Sequence, residues 1–119
     1  MAAFKTILKD LTGVLSARGA AMLAGDGEVV EMYSGEASIE MDLIGAHHAI
    51  VYNMASAATG RAVEGDVRLV YISSSSSRLA IIPLKDGYCL IVAMDKSGYM
   101  GKTLFESRRA ARLIEEEMG

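Results

Sequence analysis

From Ile39 to Thr59 the chain offers about five turns of helix in which apolar side chains cover more than half of the circumference, more than a helix packed against one neighbour needs. At about 100° per residue, Ile39, Leu43, Ala46, Ile50, Met54 and Ala57 form one stripe, and Ile44, Val51, Ala55 and Ala58 form a second beside it. One stripe serves the chain's own core; the other calls for another surface. The remaining side holds Met41, Gly45, His48, Ala49, Tyr52 and Ser56, and no Asp, Glu, Lys or Arg occurs between Leu43 and Gly60. A freely solvated helix face ordinarily carries charge, so this segment is expected to meet a partner.

The rest of the chain narrows what that partner can be. At 119 residues it is expected to be a single domain, 1–119, around one core. Apolar residues make up 51% and charged residues 23%, and the net charge of −3 lacks the electrostatic footprint of a nucleic-acid binder. One cysteine, Cys89, excludes an intrachain disulfide, and its setting Tyr88-Cys89-Leu90-Ile91-Val92 reads as buried strand. Lys5, Lys9 and Asp10 interrupt the N-terminal apolar positions, so they do not form a signal-peptide core, and the charge-free run after Leu43 is too polar for membrane insertion. These features lead to the expectation of a cytoplasmic protein.

Phe4, Ile7, Leu8 and Leu11 repeat at i, i+3, i+4 and i+7, predicting a short first helix that ends near Gly13. Ala20–Ala24 and Glu28–Tyr33 flank Gly25-Asp26-Gly27 and read as a hairpin. Ser38 is the expected N-cap of the long helix and Gly60 its stop. Val67–Ser73 reads as a strand, followed by a loop in the serine run Ser73–Ser77. Arg78–Leu84, the turn Lys85-Asp86-Gly87 and Tyr88–Met94 form a second hairpin, and a last helix spans about Gly98 to Met118.

Leu79-Ala80-Ile81-Ile82 and Cys89–Met94 are apolar at successive positions, so both faces of their strands need cover. The expected architecture is therefore an α/β/α sandwich in three layers. Its mostly antiparallel five-stranded sheet follows the order helix-strand-strand-helix-strand-strand-strand-helix, with those two strands at its middle. The less apolar strand Val67–Ile72, which carries Arg68, is the expected edge, and an open edge beside a greasy helix favours self-association.

Candidate catalytic signals do not hold together. Gly101-Lys102-Thr103 invites comparison with a phosphate-binding loop, but the glycine required five positions earlier is Lys96. A plain helix start capped by Asp95 or Ser97 accounts for it. His47 and His48 point about 100° apart and lack a ligand at i+4, so no metal site is expected. No nucleophile is flanked by a base and an orienting acid, so neither catalytic residues nor a cofactor site are assigned.

The element order, with Leu79-Ala80-Ile81-Ile82-Pro83-Leu84, Asp86-Gly87-Tyr88-Cys89-Leu90-Ile91-Val92 and the closing Gly98-Tyr99-Met100-Gly101-Lys102, resembles the roadblock / dynein light-chain family over nearly the whole chain. Within it the likeness is to stand-alone bacterial members of the MglB type, which regulate a Ras-like small GTPase, with cell polarity and motility as the processes suggested. The resemblance implies a homodimer in which Val67, Arg68, Leu69, Val70, Tyr71 and Ile72 pair with their twins. The long helices then lie antiparallel, with Ile44, Val51, Ala55 and Ala58 covered. It implies further that the GTPase docks on the paired helices at Asp42, Gly45, His48, Ala49, Tyr52, Ser56 and Arg61. Arg61 and Arg78 are candidate arginine fingers, although action through the GTPase's own switch segments is preferred. A dimeric scaffold with no effect on the nucleotide cycle is the alternative.

Overall fold

Alternation along the strands sorts the core into two layers. In the computed structural model, which describes residues 2–36, 39–61 and 65–119 and the side chains of all these except Ala2, Ala46, His48, Ala49 and Arg61, the chain runs α1 (Ala2–Leu15), β1 (Gly19–Leu23), β2 (Val29–Ser34), α2 (Met41–Arg61), β3 (Val70–Ser73), β4 (Ser77–Pro83), β5 (Cys89–Asp95) and α3 (Met100–Met118). The strands form one sheet in the order β2-β1-β5-β4-β3, with every neighbouring pair antiparallel. Ala20, Met22, Ala80, Ile82, Leu90, Val92 and Met94 point to the face covered by α1 and α3, where Leu8, Leu11 and Ile114 complete the core. Ala21, Leu23, Leu79, Ile81, Cys89, Ile91 and Ala93 point to the other face, under α2. This is the expected three-layer sandwich, with β5 at its centre and buried on both sides.

Turn chemistry explains the joins. Between β4 and β5, Asp86 (φ 60°) and Gly87 (φ 81°) both adopt left-handed backbone, a conformation tolerated by Asp and free for Gly. Pro83 closes β4, as its missing donor requires.

Two boundaries differ from the sequence expectation, and a third expectation is not reached by the described residues. Ser38, the expected N-cap of α2, lies outside the described residues. α3 begins after Tyr99, which makes no side-chain cap; the Asp95 carboxylate instead accepts hydrogen bonds from the Ser97 hydroxyl and amide. Those bonds hold Asp95 below its ordinary carboxylate range. Finally, the edge strand starts at Val70, so Val67, Arg68 and Leu69 lie before the ladder. Val70 pairs with Ile81, and continuing that register would set Arg68 opposite Pro83, which has no N–H to give.

Burial among aliphatic neighbours pushes the Cys89 thiol up from 9.0 to about 11. The folded state thus favours the neutral thiol, and this contribution to stability is complete below pH 9.0 and lost as pH rises toward about 11. Urea midpoints measured across that window are expected to fall more steeply for the native sequence than for Cys89→Ala.

Candidate functional site

The surface of interest is built from α2, which packs on β1 and β2, and the sheet edge β3. In α2 the inner face is the one made of small and weakly polar residues. Met41 is buried against Gly19, and Gly45 sits so close to β1 that an added Cβ would lie 2.7 Å from Leu23 Cδ2. Tyr52 and Ile44 pack against the α2-side core, and Ser56 Oγ is buried without a hydrogen-bond partner among the described residues. Thr59 Oγ1 is satisfied locally, donating to the carbonyls of Ala55 or Ser56 at 3.2 and 3.1 Å.

This arrangement corrects the expected division of the helix. Gly45, Tyr52 and Ser56, read as a docking face, turn toward the chain's own sheet: Gly45 lets the helix come close to β1, and Tyr52 packs against the α2-side core. Ile44 and Ala55, read as interface residues, are half-buried on the flank of that inner face. The side chains of His48, Ala49 and Arg61 lie outside the described residues. Asp42, Val51 and Ala58 are exposed.

Hydrocarbon instead accumulates outside. Leu43 is 49% exposed, Ile50 59%, Met54 68% and Val51 38%. Leu43, His47, Ile50, Met54 and Ala57 follow one another at steps of four and three residues, the spacing of a helix-pairing seam, with Val51 and Ala58 along its border. All of these are exposed. Asp42, His47 and Asn53 fall on this outer arc as well, and Gly45 marks the close approach to β1.

At the end of the sheet away from β1 and β2, which α2 contacts, β3 pairs among the described residues only with β4, which leaves its other edge open. Its side chains Val70, Tyr71 and Ile72 are half-buried, with Val70 and Ile72 on the α2 side of the sheet and Tyr71 on the other. Along an antiparallel edge, successive amides point alternately inward to the ladder and outward. Of the substitutions Val70→Pro and Tyr71→Pro, the one that removes an outward donor is therefore expected to weaken self-association while leaving the thermal midpoint nearly unchanged, as light scattering and melting curves would reveal.

Among the described residues no group of three His, Cys, Asp or Glu side chains is placed to hold a metal ion, and no helix is long and apolar enough to cross a membrane. Arg78 is tied to the serine loop, donating from Nη1 to the carbonyls of Ser74 at 2.7 Å and Ser77 at 2.9 Å.

Comparison with known proteins adds the following. The family model for the Roadblock/LC7 domain matches residues 3–94. Myxococcus xanthus MglB superposes with a TM-score of 0.89 at 11% identity, covering 98% of this chain and 88% of that one. A roadblock/LC7 domain from Streptomyces avermitilis gives 0.86 at 20% identity, covering 96% of both chains. The gliding protein MglB from Thermus thermophilus gives 0.86 at 14%, covering 97% and 87%. At such identities these likenesses concern the fold. No curated protein matches the sequence significantly.

Proposed function

The chain belongs to the Roadblock/LC7 domain family, and from that premise we propose that it is a homodimeric, non-catalytic regulator that binds a Ras-like small GTPase and alters its GTP hydrolysis or nucleotide exchange. The observation that carries this reading is the exposed apolar seam of α2 together with an open sheet edge, β3, whose Val70 and Ile72 lie on the same side of the sheet as α2. Two antiparallel β3 strands can extend the sheet across a two-fold axis while two α2 helices close over their seams, so backbone pairing and hydrocarbon burial act together. A similar solved structure described as MglB with a tetrameric arrangement is consistent with self-association.

Pairing leaves part of the outer arc of α2 uncovered. Asp42 and Asn53, exposed on the side away from Val51 and Ala58, belong to the surface offered to the GTPase. Binding there selects the hydrolysis-competent arrangement of the switch segments, without a group delivered by this chain. Arg78 is engaged by its own loop and fits a finger role poorly.

The test is to mix the protein with a Ras-like GTPase from the same genome and to follow single-turnover hydrolysis and nucleotide release. A rise in either rate is expected, retained in Arg61→Ala and Arg78→Ala. A loss of at least about 100-fold in hydrolysis in one variant would establish an arginine finger instead. Equal binding to both nucleotide states with unchanged rates would make the protein a scaffold.

A further inference from the structure

On the opposite side of the sheet from α2, the outer face of α3 carries a charge pattern that regulation of a GTPase does not use. Phe105 is 67% exposed. Lys102 stands at i−3 from it, Arg108 at i+3, Arg109 at i+4 and Arg112 at i+7, so all four cations lie within two turns of Phe105 on the same exposed face. Glu106 is the one carboxylate in that stretch, and it pairs with Arg109 at 3.7 Å. Lys102, Arg108 and Arg112 have no ion pair among the described residues. In a chain whose net charge is −3, this is a segregated basic patch around an apolar tip. Acidic residues return only in the last turn, where Glu115 accepts a hydrogen bond from the Lys85 amide and Glu116 and Glu117 are exposed. In the same layer α1 presents Lys5 and Lys9, with Asp10 beside them.

We propose that this face of α3 docks on an anionic membrane surface, with the cations engaging lipid phosphates and carboxylates and Phe105 entering the headgroup region. The cations select a negative occupant. The shape of the dimer selects a flat one. An antiparallel β3–β3 junction has its two-fold axis perpendicular to the sheet, so both α1/α3 layers lie on the same side and both patches face one plane. This part of the argument rests on the dimer proposed above. Two weak patches acting on one surface bind far more tightly than either alone, and the paired α2 helices then face away from the membrane, open to the GTPase.

Sedimentation with vesicles tests the proposal. Binding to phosphatidylcholine vesicles containing about 30 mol% phosphatidylserine is expected to exceed binding to phosphatidylcholine alone by about tenfold or more, and to collapse as salt is raised from about 0.1 to 0.5 M. Arg108→Glu combined with Arg112→Glu should abolish the preference, and Phe105→Ala should weaken binding several-fold. All three positions are exposed, and an unchanged melting curve verifies that the variants fold. Equal affinity for both vesicle types, or an unaffected double variant, would overturn the proposal. So would capture by poly-glutamate without vesicle binding, which would assign the face to an acidic protein. Light scattering separates this outcome from the dimer itself: a monomer that still sediments with anionic vesicles refutes only the pairing, and a dimer that ignores them refutes only the membrane face.

Discussion

Replacing Ile50 with glutamate is expected to convert the proposed dimer into stable monomers, raising the dissociation constant by about a thousandfold or more. Ile50 occupies the middle of the seam from Leu43 to Ala57, so in an antiparallel pair it meets its own twin near the two-fold axis. The substitution removes two isoleucine side chains from the interface, each contributing about 2 kcal/mol by burial. It also sets two carboxylates against each other in a poorly hydrated junction. Together these exceed the roughly 4 kcal/mol that a thousandfold change requires. The folded subunit should hardly notice, because Ile50 is 59% exposed in it. Ile44→Glu provides the contrast: Ile44 is packed against the chain's own core, so its replacement should lower the thermal midpoint. Sedimentation equilibrium at micromolar protein decides the matter, and an Ile50→Glu protein that remains dimeric would remove the seam from the interface.

The two kinds of helix in this fold differ in how much the sequence reveals of them. α1 and α3 alternate apolar and charged residues with a helical period, and the periodicity identifies Phe4, Leu8 and Leu11, or Ala111 and Ile114, as core without further information. Strands β4 and β5 were equally plain, since uninterrupted runs such as Cys89–Met94 have no polar side to give to water. α2 hides its orientation because hydrocarbon lies all around it. Here the usual rule inverts: the bulky residues Leu43, Ile50 and Met54 lie outside, while Gly45 and Ser56 lie against the sheet. The size needed for close approach to β1, which depends on tertiary geometry, overrode the hydrophobic pattern. The start of β3 was hidden for a similar reason, since Val67-Arg68-Leu69 has the composition of a strand, but the ladder partner available to Arg68 is Pro83.

The inward orientation of α2 can be read from the sign of a single stability change. In a solvent-facing helix position, Gly45→Leu raises stability by about 0.8 kcal/mol, since leucine is a far better helix former than glycine. Against β1 the outcome reverses. The first added carbon already lies 2.7 Å from Leu23 Cδ2 and 3.2 Å from its Cδ1, and Leu23 is fully buried. Either α2 lifts from the sheet, exposing Met41 and the α2-side core, or Leu23 leaves its rotamer. Overpacking of this kind costs about 3 kcal/mol, beyond what helix propensity returns. The thermal midpoint should therefore fall by about 10 °C for a domain of this size. The same displacement would tilt the outer seam away from its twin, so dimerisation and GTPase regulation should weaken together although the substituted side chain touches neither partner. A Gly45→Leu protein with a raised midpoint would mean that this face of α2 looks outward, and the docking surface would then have to be rebuilt around Gly45, Tyr52 and Ser56.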